Sequence, residues 1–162
     1  MYNRRISKCH PRVEALGAVD ELNAALGLAR ASARQPFVSG RLLEMQTALV
    51  VLMGELAVLP EDLPRYVKDG FVLVSPEMTA QLDRVVQEIE AQQAAGKGWA
   101  APGANPSSAA LDAARTVCRR AERRVCALRE STPSQNGEIL VFLNRMSDAL
   151  WLLARREESH PL

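Results

Sequence analysis

A chain of 162 residues, 48% hydrophobic and 24% charged, has the length and make-up of one globular domain that buries its own core. Its 20 basic and 19 acidic side chains leave a net charge of +1, which argues against a partner held chiefly by charge, such as a nucleic-acid backbone or an anionic membrane. Three cysteines without Cys-x-x-Cys spacing and two histidines at opposite ends argue against a disulfide framework or a Cys- or His-rich metal centre, and they suit a reducing cytoplasm.

Aromatic residues make up only 4% of the chain, and its apolar mass is Ala, Leu and Val. Ala and Leu are strong helix formers. Apolar positions recur at helical spacing in five segments. The first covers residues 12–34, through Val13, Leu16, Val19, Leu26 and Leu28. The second covers 38–59, with an apolar face wide enough to imply deep burial, and Pro60 and Pro64 end it. Residues 60–75 read as a connector; Phe71–Ser75 has the composition of a strand but lacks a partner strand. The third helix covers 76–95 through Leu82, Val85, Val86 and Ile89, with a loop at 96–106 after it. The fourth starts from Asn105 as N-cap with Pro106 in its first turn, and it ends near Arg129. The fifth covers 138–157 after a turn at 131–137. Long helices on short links imply an all-α antiparallel bundle filling residues 1–162 as one domain. No stretch of 18 uncharged apolar residues suggests a membrane span.

The fourth helix carries the most information. At about 100° per residue, Arg115, Arg119 and Glu122 fall within roughly 60° of one another. Ala114, Val117, Cys118, Ala121, Val125 and Leu128 fill the adjoining apolar arc, so the charged stripe borders the core. Two readings fit: an anion clamp beside a carboxylate, or a solvated face of Arg–Glu pairs. Arg120 and Arg124 point elsewhere, as surface or subunit contacts. Asp20 lies in the apolar first helix and there requires a cation; Arg119 is one candidate, and a purely structural ion pair is the other reading. Trp99, in the glycine-rich loop, is either a hydrophobic plug or a flat surface for a planar ligand.

The strings RVEALGAVDELNAALGLAR, PGANPSSAALDAARTVCRRAERRV and ILVFLNRMSDALWLLAR closely resemble the PduO-type ATP:cob(I)alamin adenosyltransferases, and the resemblance runs from Ser7 to about Arg155. It implies a five-helix up-and-down bundle that forms a homotrimer with active sites between subunits. It implies transfer of the 5′-deoxyadenosyl group of ATP to the cobalt of cob(I)alamin, giving adenosylcobalamin and triphosphate with the help of Mg²⁺. By position in the motifs, Lys8, Arg119, Glu122, Arg123 and Asn144 would contact ATP, Asp20 would pair with Arg119 across the subunit boundary, and Arg115 would join the same site. Trp99 stands where the family usually has a Phe that lines the corrin pocket and displaces the lower axial ligand of cobalt. The resemblance assigns no metal ligands in this chain. Cob(I)alamin is itself a strong nucleophile, so such a site needs no attacking Ser, Cys or His; it needs cations for a departing triphosphate.

Three departures from the family pattern stand out. The usual Thr-Gly-Asp-x-Gly-x-Thr segment has no counterpart among the residues before Lys8, so the expectation is a truncated chain or one that has lost tight ATP binding. The usual Pro-Gly-Gly-Ser reads Pro-Gly-Ala-Asn at 102–105. A usual His is Asp112, whose added negative charge is expected to weaken affinity for triphosphate. The alternative to an adenosyltransferase is a catalytically weak trimer that binds and delivers cobalamin; a nucleic-acid-binding scaffold is disfavoured by the near-zero net charge.

Overall fold

The computed structural model describes residues 2–91, 100–133 and 135–159. It contains α1 (Pro11–Ser32), α2 (Pro36–Leu56), a 3₁₀ turn at Pro60–Asp62, α3 (Leu63–Lys68), α4 (Pro76–Ala91), α5 (Pro106–Ser131) and α6 (Glu138–Glu158). Each of the five expected long helices is present; the end expected for the third, at 92–95, and the start of the loop after it, at 96–99, lie outside the described residues, and the other ends shift by a few residues. Pro11, Pro36 and Pro106 stand in first turns, where a missing N–H leaves no bond unmade. The Nδ1 of His10 accepts from the Arg12 N–H at 3.1 Å and caps α1. Asn105 caps α5 through a reciprocal pair with Ser108, its Oδ1 accepting from the Ser108 N–H at 2.9 Å. The start of α2 is capped from a distance: the buried Glu157 of α6 accepts from the N–H groups of Arg34 and Gln35, both at 3.2 Å.

The expected connector at 60–75 proves partly helical, because Pro60 and Pro64 each open a new helical turn after α2 has ended. Residues 71–75 form no strand. The Val74 N–H donates to Glu55 Oε2 at 2.7 Å and the Val74 carbonyl accepts from the Asn136 amide at 2.9 Å, so side chains complete the bonds a partner strand would have made. Tyr66 of α3 stacks on Phe71 with ring centroids 4.6 Å apart, folding this segment back onto α2.

The long helices pack α2 on α1, α1 on α5, α5 on α6 and α6 on α4. Their cross-links give the directions. Glu14 and Glu21 of α1 meet Arg124 and Arg120 of α5, so those helices are antiparallel. Arg155 and Asn144 of α6 meet Asp112 and Glu122 of α5, again antiparallel. Thr79 and Asp83 of α4 meet Glu138 and Arg145 of α6, which makes that pair parallel. Leu22, Leu26, Leu42, Leu49, Leu111, Phe142 and Leu143 are closed off from solvent at the centre. Among the described residues α2 is the one helix long and apolar enough to cross a membrane by length and composition. It carries Arg41, Glu44 and the buried Glu55, and its Leu42, Leu49, Leu52 and Leu56 are buried in the bundle core.

Candidate active site

The sequence of α5 sorts its residues into three faces. Ala114, Cys118, Ala121, Val125 and Leu128 are fully buried, which is the apolar arc read from the sequence, with Val117 at its partly buried margin; the buried Leu111 extends it towards the start of the helix. The thiol of Cys118 donates to the Leu143 carbonyl at 3.2 Å, and burial, reinforced by nearby Glu122, pushes its pKa up to about 12. The thiol is thus held protonated and supplies no nucleophile.

A second face is paired to α1. Arg120 donates to Glu21, and Arg124 Nε lies 3.2 Å from Glu14 Oε1. These two arginines are therefore contacts within the chain. Lys8, exposed, borders a cavity of about 100 Å³ on this seam, together with Gly17, Glu21, Arg120 and Arg124.

The third face holds most of the residues singled out by the family resemblance. Arg119 and Arg123 are exposed one turn apart. Glu122, half-buried between them in sequence, accepts from the Asn144 amide of α6 at 3.2 Å. The structure thus brings Arg119, Glu122, Arg123 and Asn144 to one face of the α5–α6 pair. Among the described residues neither Arg119 nor Arg123 takes part in an ion pair, in contrast to Arg120 and Arg124. Asp20 is exposed on α1 and likewise makes no ion pair among the described residues, so within a single chain it needs no cation.

Arg115 is placed differently. Its Nε is buried 3.6 Å from Asp112 Oδ1. Asp112 is itself buried, where it accepts from the buried Arg155 of α6. The negative charge that Asp112 adds is thus paired within the chain. Nothing in the spacing pointed to it, since the partners lie 43 residues apart; the available signal was an arginine among the apolar residues Leu152, Leu153 and Ala154. Trp99 lies outside the described residues. Among the described residues no group of three or more His, Cys, Asp or Glu side chains could hold a metal ion; the third face carries the carboxylate of Glu122.

The profile of the cobalamin adenosyltransferase family matches residues 1–157. The chain belongs to this family. It is 39% identical over 157 residues to a corrinoid adenosyltransferase of Citrobacter freundii, covering 97% of this chain and 86% of that protein. It is 36% identical to the corrinoid adenosyltransferase PduO of the same organism, of which it spans 45%. Among solved structures, a variant PduO-type ATP:corrinoid adenosyltransferase from Lactobacillus reuteri, complexed with cobalamin and ATP, superposes with a TM-score of 0.83 at 31% identity; the match covers 94% of this chain and 83% of that one. The all-α architecture is that of this family.

Proposed function

We propose that this protein transfers the 5′-deoxyadenosyl group of ATP to cob(I)alamin, giving adenosylcobalamin and triphosphate. The observation that carries the reading is the division of the α5 arginines. Arg120 and Arg124 are neutralised by Glu21 and Glu14, while Arg119 and Arg123 stand without an ion-pair partner among the described residues, beside the Glu122–Asn144 pair. Guanidinium groups left unpaired on a face that borders the core suit an anion better than a solvated surface does, and the planar fork binds phosphate bidentately.

The chemistry divides accordingly. The cobalt electron pair attacks C5′ of the ribose, the Co–C bond forms, and the C5′–O bond breaks with its electrons leaving on triphosphate. Arg119 and Arg123 stabilise that charge with donors already in place; Lys8 sits on the α1–α5 seam instead, and its place at ATP rests on the family resemblance alone. Asn144 fixes Glu122, whose carboxylate suits a role beside the divalent cation that accompanies ATP; Mg²⁺ takes few protein ligands and several phosphate oxygens, and when bound it neutralises developing charge. The reading extends to a homotrimer in which Asp20 of one subunit meets Arg119 of the next. Support for it is that both groups are exposed and that neither takes part in an ion pair among the described residues. The five long helices, antiparallel across α1–α5 and α5–α6 and parallel across α4–α6, support an up-and-down bundle filling one domain. The free cysteines Cys9, Cys118 and Cys126 support a cytoplasmic setting.

The test is formation of the light-sensitive cobalt–carbon product from reduced cobalamin and Mg-ATP. Arg119→Ala should lower turnover about 10²–10³-fold, the usual effect of losing one charge-stabilising donor. A wild-type chain that binds cobalamin but gives no product would make it a corrinoid carrier instead.

A further inference from the structure

The inner end of the α5–α6 seam holds four charges in a row. Arg155 Nη2 donates to Asp112 Oδ2 and lies 3.1 Å from Glu158 Oε1. The other Asp112 oxygen, Oδ1, lies 3.6 Å from Arg115 Nε, an ion-pair separation one helical turn along α5. The side chains of Asp112 and Arg155 are only 5% and 4% exposed, while that of Arg115 is 29% exposed. The inner nitrogen of Arg115, Nε, is buried without a hydrogen bond, so its exposure lies towards the outer end of the side chain.

A buried carboxylate is retained only when it is compensated, and Arg155 compensates this one. Asp112 is therefore fixed, and one of its two oxygens is left for Arg115. A guanidinium attracted at Nε keeps its outer fork of Nη1 and Nη2 free for a planar, bidentate contact with phosphate oxygens. Without that attraction the same side chain samples many rotamers and must be ordered when the ligand binds.

We propose that Asp112 is a positioning residue: anchored by Arg155, it holds Arg115 by its inner nitrogen so that the outer fork faces the polyphosphate of ATP. This rests on the reading that the α5 arginines bind polyphosphate. It reverses the sign expected from charge alone, since a carboxylate next to the stripe then strengthens anion binding.

The test is a double-mutant cycle on the full chain, read as the KM for Mg-ATP against kcat, with binding of inorganic tripolyphosphate as a readout free of the corrinoid. Asp112→Asn keeps the size and the acceptor for Arg155 and removes the charge that attracts Arg115. It should raise KM for Mg-ATP and the tripolyphosphate Kd about tenfold, with a smaller change in kcat; in an Arg115→Ala background the same substitution should add less than about twofold. Additive effects, or an unchanged KM in folded Asp112→Asn, would overturn the proposal and leave the pair a fold element only. If Arg115→Ala alone leaves both constants unchanged, the polyphosphate reading fails at that residue, and the proposal fails with it. Should Asp112→Asn not fold because Arg155 is left uncompensated, Asp112→Asn combined with Arg155→Met removes both buried charges and carries the same measurement. A raised KM that is non-additive with Arg115→Ala supports the proposal, and an unchanged KM overturns it.

Discussion

Glu55 shows how one side chain can hold a segment that has no regular structure. Its carboxylate lies in the buried last turn of α2 and accepts the Val74 N–H at 2.7 Å, which ties residues 71–75 to the bundle. Burial raises its pKa above the ordinary glutamate value, and the hydrogen bonds from Val74 and Asn136 offset only part of that. The consequence for stability follows from proton binding. Between the unfolded and the raised native pKa the folded state binds more protons than the unfolded one, so this group's contribution declines as pH rises through that window. Glu55→Gln keeps an oxygen to accept from Val74 and removes the ionisation. Thermal midpoints measured from pH 4 to pH 8 should therefore converge for the two proteins at low pH and move apart in favour of Glu55→Gln as pH rises. A gap that grows in favour of the wild type would show that the carboxylate is stabilised as an anion. The same logic makes Cys118 inert: a thiol whose pKa is about 12 and whose hydrogen is given to Leu143 is a core residue, although it sits one position from Arg119.

At the scale of elements, α3 depends on a glycine of α2. A Cβ built on Gly54 would stand 2.3 Å from the Tyr66 hydroxyl, while the next Tyr66 atom is 3.6 Å away. Gly54→Ala should therefore cost about 1–3 kcal/mol, the usual effect of overfilling a packed site. Because the clash is with the hydroxyl alone, Gly54→Ala combined with Tyr66→Phe should recover most of the loss in a denaturant titration; no recovery would place the strain in the helix backbone instead. This short helix was not legible in the sequence. Six residues give no periodicity to read, and Pro60 and Pro64, taken as the end of α2, also open the turns that follow it. The strand-like stretch at 71–75 was legible as part of the connector because it has no partner strand, but not legible was that its backbone groups find Glu55 and Asn136 instead. The long helices were legible because each carries an apolar stripe over several turns, with Pro or Asn marking its start. Of the candidate site, Arg115, Arg119 and Glu122 were legible as one stripe of helix, and Arg123 and Asn144 by family resemblance. The Asp112–Arg155 pair was not, since a contact between distant positions leaves no local pattern.

For the whole molecule, the open question is where the partner of Arg119 comes from. Within one chain Arg119 and Asp20 are both exposed, and among the described residues neither has an ion-pair partner. If the subunits form a closed ring, each site takes Asp20 from one protomer and Arg119 from the next, and the same contact repeats around the axis. That arrangement can be tested without any structure of the assembly. Asp20→Ala and Arg119→Ala should each lose most of the turnover alone. In a mixed ring, a site that takes Asp20 from an Arg119→Ala subunit and Arg119 from an Asp20→Ala subunit contains neither substitution. Random mixing of equal amounts should rebuild about a quarter of the sites, with turnover to match. Co-expressed variants carrying different tags allow mixed rings to be purified before assay, so that a failure to mix is separated from a failure to complement. Recovery of light-sensitive product would place the two residues on opposite sides of a subunit boundary. Verified mixed rings without activity would mean that the acid and the guanidinium serve the same chain, and the site would then have to be complete within a single bundle.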